Sequence, residues 1–349
     1  MKMKKLFSYP GYCPGKETLR SRRRTFSLVG LVCGALLFSI TLSGTLALLA
    51  TPAWSHEADP HPHAEDSAVG DTKYKHPEHG SLGNIGAKLA NPLGDVWALT
   101  TSWNMPAFYD GDVNTGDPKI GADMVLEPIL PIPIFGSGKS EWRMVTRPII
   151  PLVFSEPIPT GFNEFDHKNG IGDIQLPLLF NLPESISGNW LMGAGPVTLF
   201  PTATTNALGE NQWAMGPAVV FCYKTKKATF GVFPNYFWKI GSSGQNDDQP
   251  NVDKGSMLYF FNYMLGDAWQ VGMNPTISYN AQAKPAERWS VPVGGYVGKT
   301  VKFGKLPVNI KVGGEYSVVS PDTFGQRYSF RFQITPVIPG LIKNPIFGK

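Results

Sequence analysis

From Trp97 to Ile338 the chain runs through about twelve segments of roughly 8 to 14 residues, rich in aromatic and β-branched types and separated by Gly, Pro, Asn and Asp. In the clearest of them apolar and polar side chains alternate one for one, and this constrains the fold more than any other feature. A period of two gives one greasy and one wet face only to a β-strand, because helical side chains recur about every 3.6 residues. Trp269, Val271, Met273, Pro275, Ile277 and Tyr279 alternate with Gln270, Gly272, Asn274, Thr276, Ser278 and Asn280. Tyr328, Phe330, Phe332 and Ile334 lie opposite Arg327, Ser329, Arg331, Gln333 and Thr335. The segments fall near 97–104, 121–132, 140–154, 170–181, 189–200, 212–223, 227–240, 254–264, 268–280, 289–299, 306–319 and 327–338. The expected fold class is all-β.

Alternation alone leaves the solvent on each face open, since a soluble β-sandwich shows the same period. The gaps narrow the choice. Those at 105–120, 155–169, 201–211 and 241–253 exceed their neighbours at 133–139, 182–188, 224–226 and 265–267. Outer-membrane barrels pair short periplasmic turns with longer outside loops on an even number of strands, and about ten residues per segment suits a tilted membrane-crossing strand. The expectation is a single antiparallel transmembrane β-barrel of about twelve strands, with both termini periplasmic. Trp97, Trp103, Trp142, Trp190, Trp213, Trp238, Trp269 and Trp289 near segment ends suit interfacial girdles. Pro128, Pro148, Pro177, Pro196, Pro217, Pro234, Pro275 and Pro292 fall inside the segments and each removes a ladder donor, so bulges or stretches beyond the bilayer are expected.

Residues ahead of the barrel read differently. The formal charge of +4 is concentrated in the first 24 positions, and the rest of the chain is slightly acidic, which excludes a nucleic-acid partner. That basic stretch precedes an uncharged run from Phe26 to Ala50 and small residues at Ala53 and Ser55, the pattern of a secretory signal peptide over 1–55 cut after Ser55. A membrane-anchoring helix is the alternative. Cys13 and Cys33 leave with such a leader, so Cys222 alone remains and no disulfide framework is available. Residues 56–95 form a flexible His/Asp/Glu-rich segment. There His56, His61, His63, His76 and His79 alternate with carboxylates at spacings that suit a divalent transition metal, although a solvated tract without a scaffold has the same composition.

Two motifs point away from enzymes. Gly136-Ser137-Gly138-Lys139-Ser140 resembles the end of a phosphate-binding loop, but Pro133 occupies the first glycine position and an alternating stretch follows where a helix is required. His167 is the single histidine of the barrel region, in a segment expected to be an outside loop, which gives nucleophilic catalysis little support. The inferred wet faces carry Asp123, Glu127, Glu141, Asp173 and Glu315 with Arg143, Arg147, Lys311 and Arg331. These are candidate pore-lining residues, or else structural ion pairs filling a narrow barrel. Arg143 and Arg147 share one face of the third strand and are placed to pair with Asp123 and Glu127.

Leu89-Ala90-Asn91-Pro92, Thr146-Arg147-Pro148-Ile149-Ile150-Pro151, Gly170-Ile171-Gly172-Asp173-Ile174, Gly193-Ala194-Gly195-Pro196 with Phe200-Pro201-Thr202-Ala203-Thr204, Trp213-Ala214-Met215-Gly216-Pro217 and Arg331-Phe332-Gln333 occur in this order. Together they resemble the bacterial outer-membrane barrel family labelled "meta-pathway of phenol degradation" proteins, also called bacterial neuromedin U or simply transporters. The resemblance spans about residues 85 to 335. It implies an outer-membrane channel for small molecules, aromatic or hydrophobic compounds among them, with no cofactor and no catalytic residues to carry over. The partners it implies are outer-membrane lipid, a small-molecule solute and the barrel assembly machinery. The basic leader with its His-rich tract, and a tail ending Phe347-Gly348-Lys349, depart from the family pattern. A non-transporting structural barrel and a membrane-embedded lipid-modifying enzyme are the alternatives from other classes.

Overall fold

The computed structural model describes residues 79–89, 93–94, 96–243, 250–342 and 344–347. The expected signal peptide, His56, His61, His63 and His76 lie outside these residues. A helix α1 (His79–Leu89) precedes fifteen strand segments. These are β1 (Ala98–Asp110), β2 (Lys119–Phe135), β3 (Trp142–Thr146), β4 (Ile150–Gly161), β5 (Glu164–Ile171), β6 (Ile174–Asn181), β7 (Trp190–Phe200), β8 (Gln212–Lys224), β9 (Ala228–Ser242), β10 (Asp253–Gly266), β11 (Trp269–Met273), β12 (Thr276–Asn280), β13 (Trp289–Phe303), β14 (Leu306–Val319) and β15 (Gly325–Pro336). A short helix α2 (Glu184–Ser187) lies between β6 and β7.

Three pairs of segments, β3 with β4, β5 with β6 and β11 with β12, are halves of one wall strand each, so fifteen segments make twelve strands. Every pairing is antiparallel. Pairing of β1 with β15, at Trp103↔Phe332, and with β2, at Asn104↔Asp123, closes the sheet on itself. The all-β fold class and the single closed twelve-stranded barrel expected from the alternation are what the chain forms.

Proline places two of the three interruptions, because it can neither donate to a ladder nor leave its φ near −65°. Pro148 separates β3 from β4, Pro275 separates β11 from β12, and Pro292 sits at a register shift in β13. Pro196 and Pro217 lie opposite each other, so the two missing donors coincide. Beside Pro275 the wall is closed by Tyr259, whose N–H donates to the Pro275 carbonyl at 3.1 Å and whose hydroxyl donates to the Pro292 carbonyl at 2.7 Å. Met273, Ile277 and Val291 pack around it.

Outward side chains are apolar and exposed, among them Phe154, Phe221, Phe230, Val312, Phe330 and Phe332. Aromatic pairs ring both ends. Phe200–Trp213, Tyr236–Trp238 and Tyr279–Trp289 have centroids 5.3, 4.9 and 4.6 Å apart at one end, and Phe135–Trp142 and Trp190–Tyr223 are 5.4 and 4.9 Å apart at the other. An apolar belt between aromatic girdles is the exterior that lipid requires. Trp97 stands apart from the girdles, its indole N–H donating to the Pro131 carbonyl at 3.0 Å.

The gap pattern needs correction in one place. The stretch 155–169, expected to be a long outside loop, is a hairpin in which β4 and β5 run on to a two-residue turn, with Asn163 at φ 61°. Long and short connections do alternate from β7 to β14, at 201–211, 225–227, 243–252, 267–268, 281–288 and 304–305. The stretch 56–95, expected to be flexible, contains the eleven residues of α1.

Candidate functional site

The barrel interior has two unlike walls. Inward residues of β6 to β10 are mostly apolar, with Gln212, Thr229 and Asn262 as buried exceptions. Leu179, Val197, Leu199, Ala214, Ala218, Val220, Cys222, Phe233, Phe237 and Phe260 form one buried cluster that Leu93 joins from the end where the chain enters. The small side chains of β7 and β8 leave room for the phenyl rings of β9 and β10 to fold over them, which is how a twelve-stranded barrel is packed to a narrow bore.

Apart from Ala98, Ile129 and Val145 near α1, inward residues of β1 to β4 and β11 to β15 are largely polar, and several are hydrogen-bonded to one another. The Thr100 and Thr335 hydroxyls share a bond of 3.1 Å. Gln270 donates to Asn309 Oδ1 at 3.0 Å, and Asn309 donates to Thr300 Oγ1 at 3.0 Å. All five side chains are buried, and pairing them is what makes that burial tolerable.

Above this layer sit the charges. Glu127 Oε2 receives Arg147 Nη2 at 2.5 Å and Nε at 2.6 Å. Arg331 pairs with Glu315, and Arg143 pairs with Glu141 and not with Asp123. Asp123 accepts from Asn104 Nδ2 at 3.3 Å, beside Tyr109, which donates its hydroxyl to Glu156 at 3.1 Å. Lys311 has no carboxylate partner among the described residues. Its ammonium lies 4.5 Å from the ring centroid of Tyr296, whose hydroxyl donates to Asn262 Oδ1 at 3.0 Å. Gly272 and Gly313 make this packing possible, because a Cβ at either would come within 2.8 Å of Tyr296.

Asp173 belongs to a different part of the molecule. At the break between β5 and β6, its carboxylate accepts the N–H groups of Ala203 and Glu210 at 3.0 and 2.7 Å and so fixes the 201–211 loop. Gln212 fixes the next loop, donating to the Pro250 carbonyl at 3.0 Å and accepting from the Val252 N–H at 2.9 Å.

Free space is distributed unevenly along the bore. A cavity of about 280 Å³ at the loop end is lined by Phe237, Lys254, Glu287, Arg288 and Trp289. Another of about 430 Å³ at the end that carries the termini is lined by Arg143, Glu141, Asn181, Leu191 and Lys224. Beside Lys311 the cavity bounded by Ser102, Tyr296, Glu315, Arg331 and Gln333 holds about 20 Å³, room for about one water. Helix α1 narrows the entrance further. Ile85 and Leu89 pack on Ala98, Ile129 and Val145, while Gly86 lies against Thr300, Gln270 and Met264.

His79 opens α1, and among the described residues no group of three or more His, Cys, Asp or Glu side chains converges. The Gly138–Ser140 stretch is a single 3-10 turn between β2 and β3. His167 Nδ1 lies 2.8 Å from Ser155 Oγ, with both residues on β4 and β5. Among the described residues no side chain orients the other ring nitrogen. The Asp166 carboxylate accepts the His167 backbone N–H and pairs with Lys168, so the orienting third member of a nucleophilic triad is missing.

Three residues and one hydrogen-bonded layer escaped the sequence reading. Tyr109 and Glu156 fell in gaps taken for loops, although each continues a strand. Tyr296 is not singled out in the sequence; its ring fits against Gly272 and Gly313. The hydroxyl and amide layer was on the wet faces already, and only its mutual bonding was hidden.

No family model matches the chain, and no curated protein matches it. Among solved structures, an outer membrane channel from Pseudomonas putida F1 is similar at 13% identity and a TM-score of 0.49, covering 69% of this chain and 94% of that one. The NanC porin is similar at 12% identity and a TM-score of 0.42, covering 70% of this chain and 99% of that one. The Pseudomonas putida toluene transporter TodX is similar at 11% identity and a TM-score of 0.33, covering 72% and 92%.

Proposed function

We propose that this chain is an outer-membrane channel that passes small molecules through a constricted bore, and that its solutes include aromatic or other hydrophobic compounds. The observation that carries the reading is the barrel interior: it has cavities of about 280 and 430 Å³ at its two ends, and buried charges around about 20 Å³ of free space between. A barrel that served only as a wall would bury apolar side chains there at lower desolvation cost. The apolar wall from Leu179 to Phe260 supports a hydrophobic solute, and the family words in the sequence support membership of the phenol-degradation barrel group. The pore-lining set is then Arg143, Arg147, Asp123, Glu127, Lys311, Glu315 and Arg331, with Asp173 holding a loop over the mouth. Lipid is the partner of the outer face, and the barrel assembly machinery delivers a chain released by cleavage after Ser55, which N-terminal sequencing of the exported protein checks.

Single-channel recording in planar bilayers tests the reading. Discrete, voltage-stable conductance steps are expected from purified protein. Absence of conductance, together with absence of solute entry into proteoliposomes, would leave the structural barrel as the better account.

A further inference from the structure

We infer that the constriction is a binding site for small amphipathic anions, organic acids with an apolar body, and that Lys311 is its anchoring cation. This rests on the channel reading above and specifies the solute class.

Lys311, Arg147 and Arg331 crowd one side of the bore against two partnered carboxylates. Arg147 is taken up by Glu127 and Arg331 by Glu315. Arg147, Arg331 and Glu127 lie near Lys311, and Glu315 lines the same small cavity. Asp123 lies near Arg331 but is not among them, and its carboxylate is turned to Asn104. With Glu127 and Glu315 taken up by the arginines, Lys311 has no ion-pair partner among the described residues, and its ammonium lies against the face of Tyr296. Lys311 is 6% exposed, and it lines the small central cavity. An ammonium at this position, with no ion-pair partner among the described residues, favours whatever anion can reach it.

Across the bore the wall is of the opposite character. Around the closed sheet, β14 and β15 face β7 and β8, whose Val197, Leu199, Ala214, Val220 and Cys222 belong to one hydrocarbon cluster with the rings of Phe233, Phe237 and Phe260. A solute passing between these walls meets a cation on one side and hydrocarbon on the other. An inorganic anion satisfies only the first and a neutral aromatic only the second, whereas an organic carboxylate satisfies both.

The test uses the full-length barrel in planar bilayers under a potassium chloride gradient, then under bi-ionic conditions with sodium chloride on one side and sodium benzoate on the other. Benzylammonium chloride serves as the cationic control and benzyl alcohol, by proteoliposome uptake, as the neutral one. The expected result is a reversal potential on the anion side, benzoate more permeant than chloride or blocking its current, and benzylammonium excluded. Lys311→Gln should move the reversal potential toward zero and remove the benzoate preference, while Lys311→Arg should retain both. If Lys311→Gln does not fold, the wild-type bi-ionic measurement decides. Conductance that is cation-selective, or chloride-selective without benzoate preference, or unmoved by Lys311→Gln, overturns the anion site and leaves the channel standing. No conductance and no uptake of any probe overturns the channel reading instead.

Discussion

Arg147 and Glu127 show how a charge is made tolerable inside a protein. Both side chains are mostly buried, at 18% and 17% exposure, and the guanidinium reaches the carboxylate through two nitrogens. Arg147→Ala strands Glu127 in the bore and should lower the stability of the folded barrel by up to about 3 kcal/mol. Adding Glu127→Gln should recover most of that loss, and if the pair shapes the bore, ion selectivity shifts in both variants. Thermal unfolding in detergent, read beside reversal potentials, separates the two effects; no change in either would place Arg147 in open water. Asp173 is a second residue with a defined task. Asp173→Ala leaves the Ala203 and Glu210 N–H groups without their acceptor, a cost of about 1–3 kcal/mol. The visible consequence should be faster proteolysis within 201–211, with the barrel core still resistant.

Among the elements, α1 is the one whose place depends on a single small residue. It lies against β10, β13 and β14. A Cβ at Gly86 would fall 2.7 Å from Thr300 Oγ1, 3.4 Å from Gln270 Oε1 and 3.6 Å from Met264 Cε. Gly86→Leu cannot be seated there without moving the helix off the wall, since overpacking of this kind costs about 1–3 kcal/mol and the barrel is stiffer than a terminal helix. Single-channel conductance should rise in this variant. Conductance equal to wild type, with α1 still protected from protease, would show that the helix does not restrict the bore. The wall strands behave differently: Pro148 and Pro275 divide two of them, yet the ladders resume in register on the far side because neighbouring strands on both flanks hold the chain in line.

At the scale of the whole molecule, closure and solvent are linked. A closed sheet leaves no edge to satisfy, and with its bore filled it can place apolar residues outward only where lipid replaces water. The purified protein should therefore require detergent and show a predominantly β circular dichroism spectrum. A detergent-free monomer with the same spectrum would contradict the lipid-facing exterior.

Strand number, the two faces of each strand and the apolar character of the exterior are properties of local pattern. A period of two is written residue by residue and needs no partner to be read, as Trp269 to Asn280 shows. The ends of strands were less legible, and β4 and β5 ran on through 155–169 because polar residues extend a ladder once a neighbour supplies the hydrogen bonds. What only the tertiary structure decided is who meets whom across the bore. Glu315 with Arg331, Tyr109 with Glu156, Arg143 with Glu141 in place of Asp123, and Lys311 with the ring of Tyr296 are fixed by register and by glycines that let a ring lie against the wall. Alternation tells which side a residue faces, and closure of the barrel alone sets its height and its neighbour.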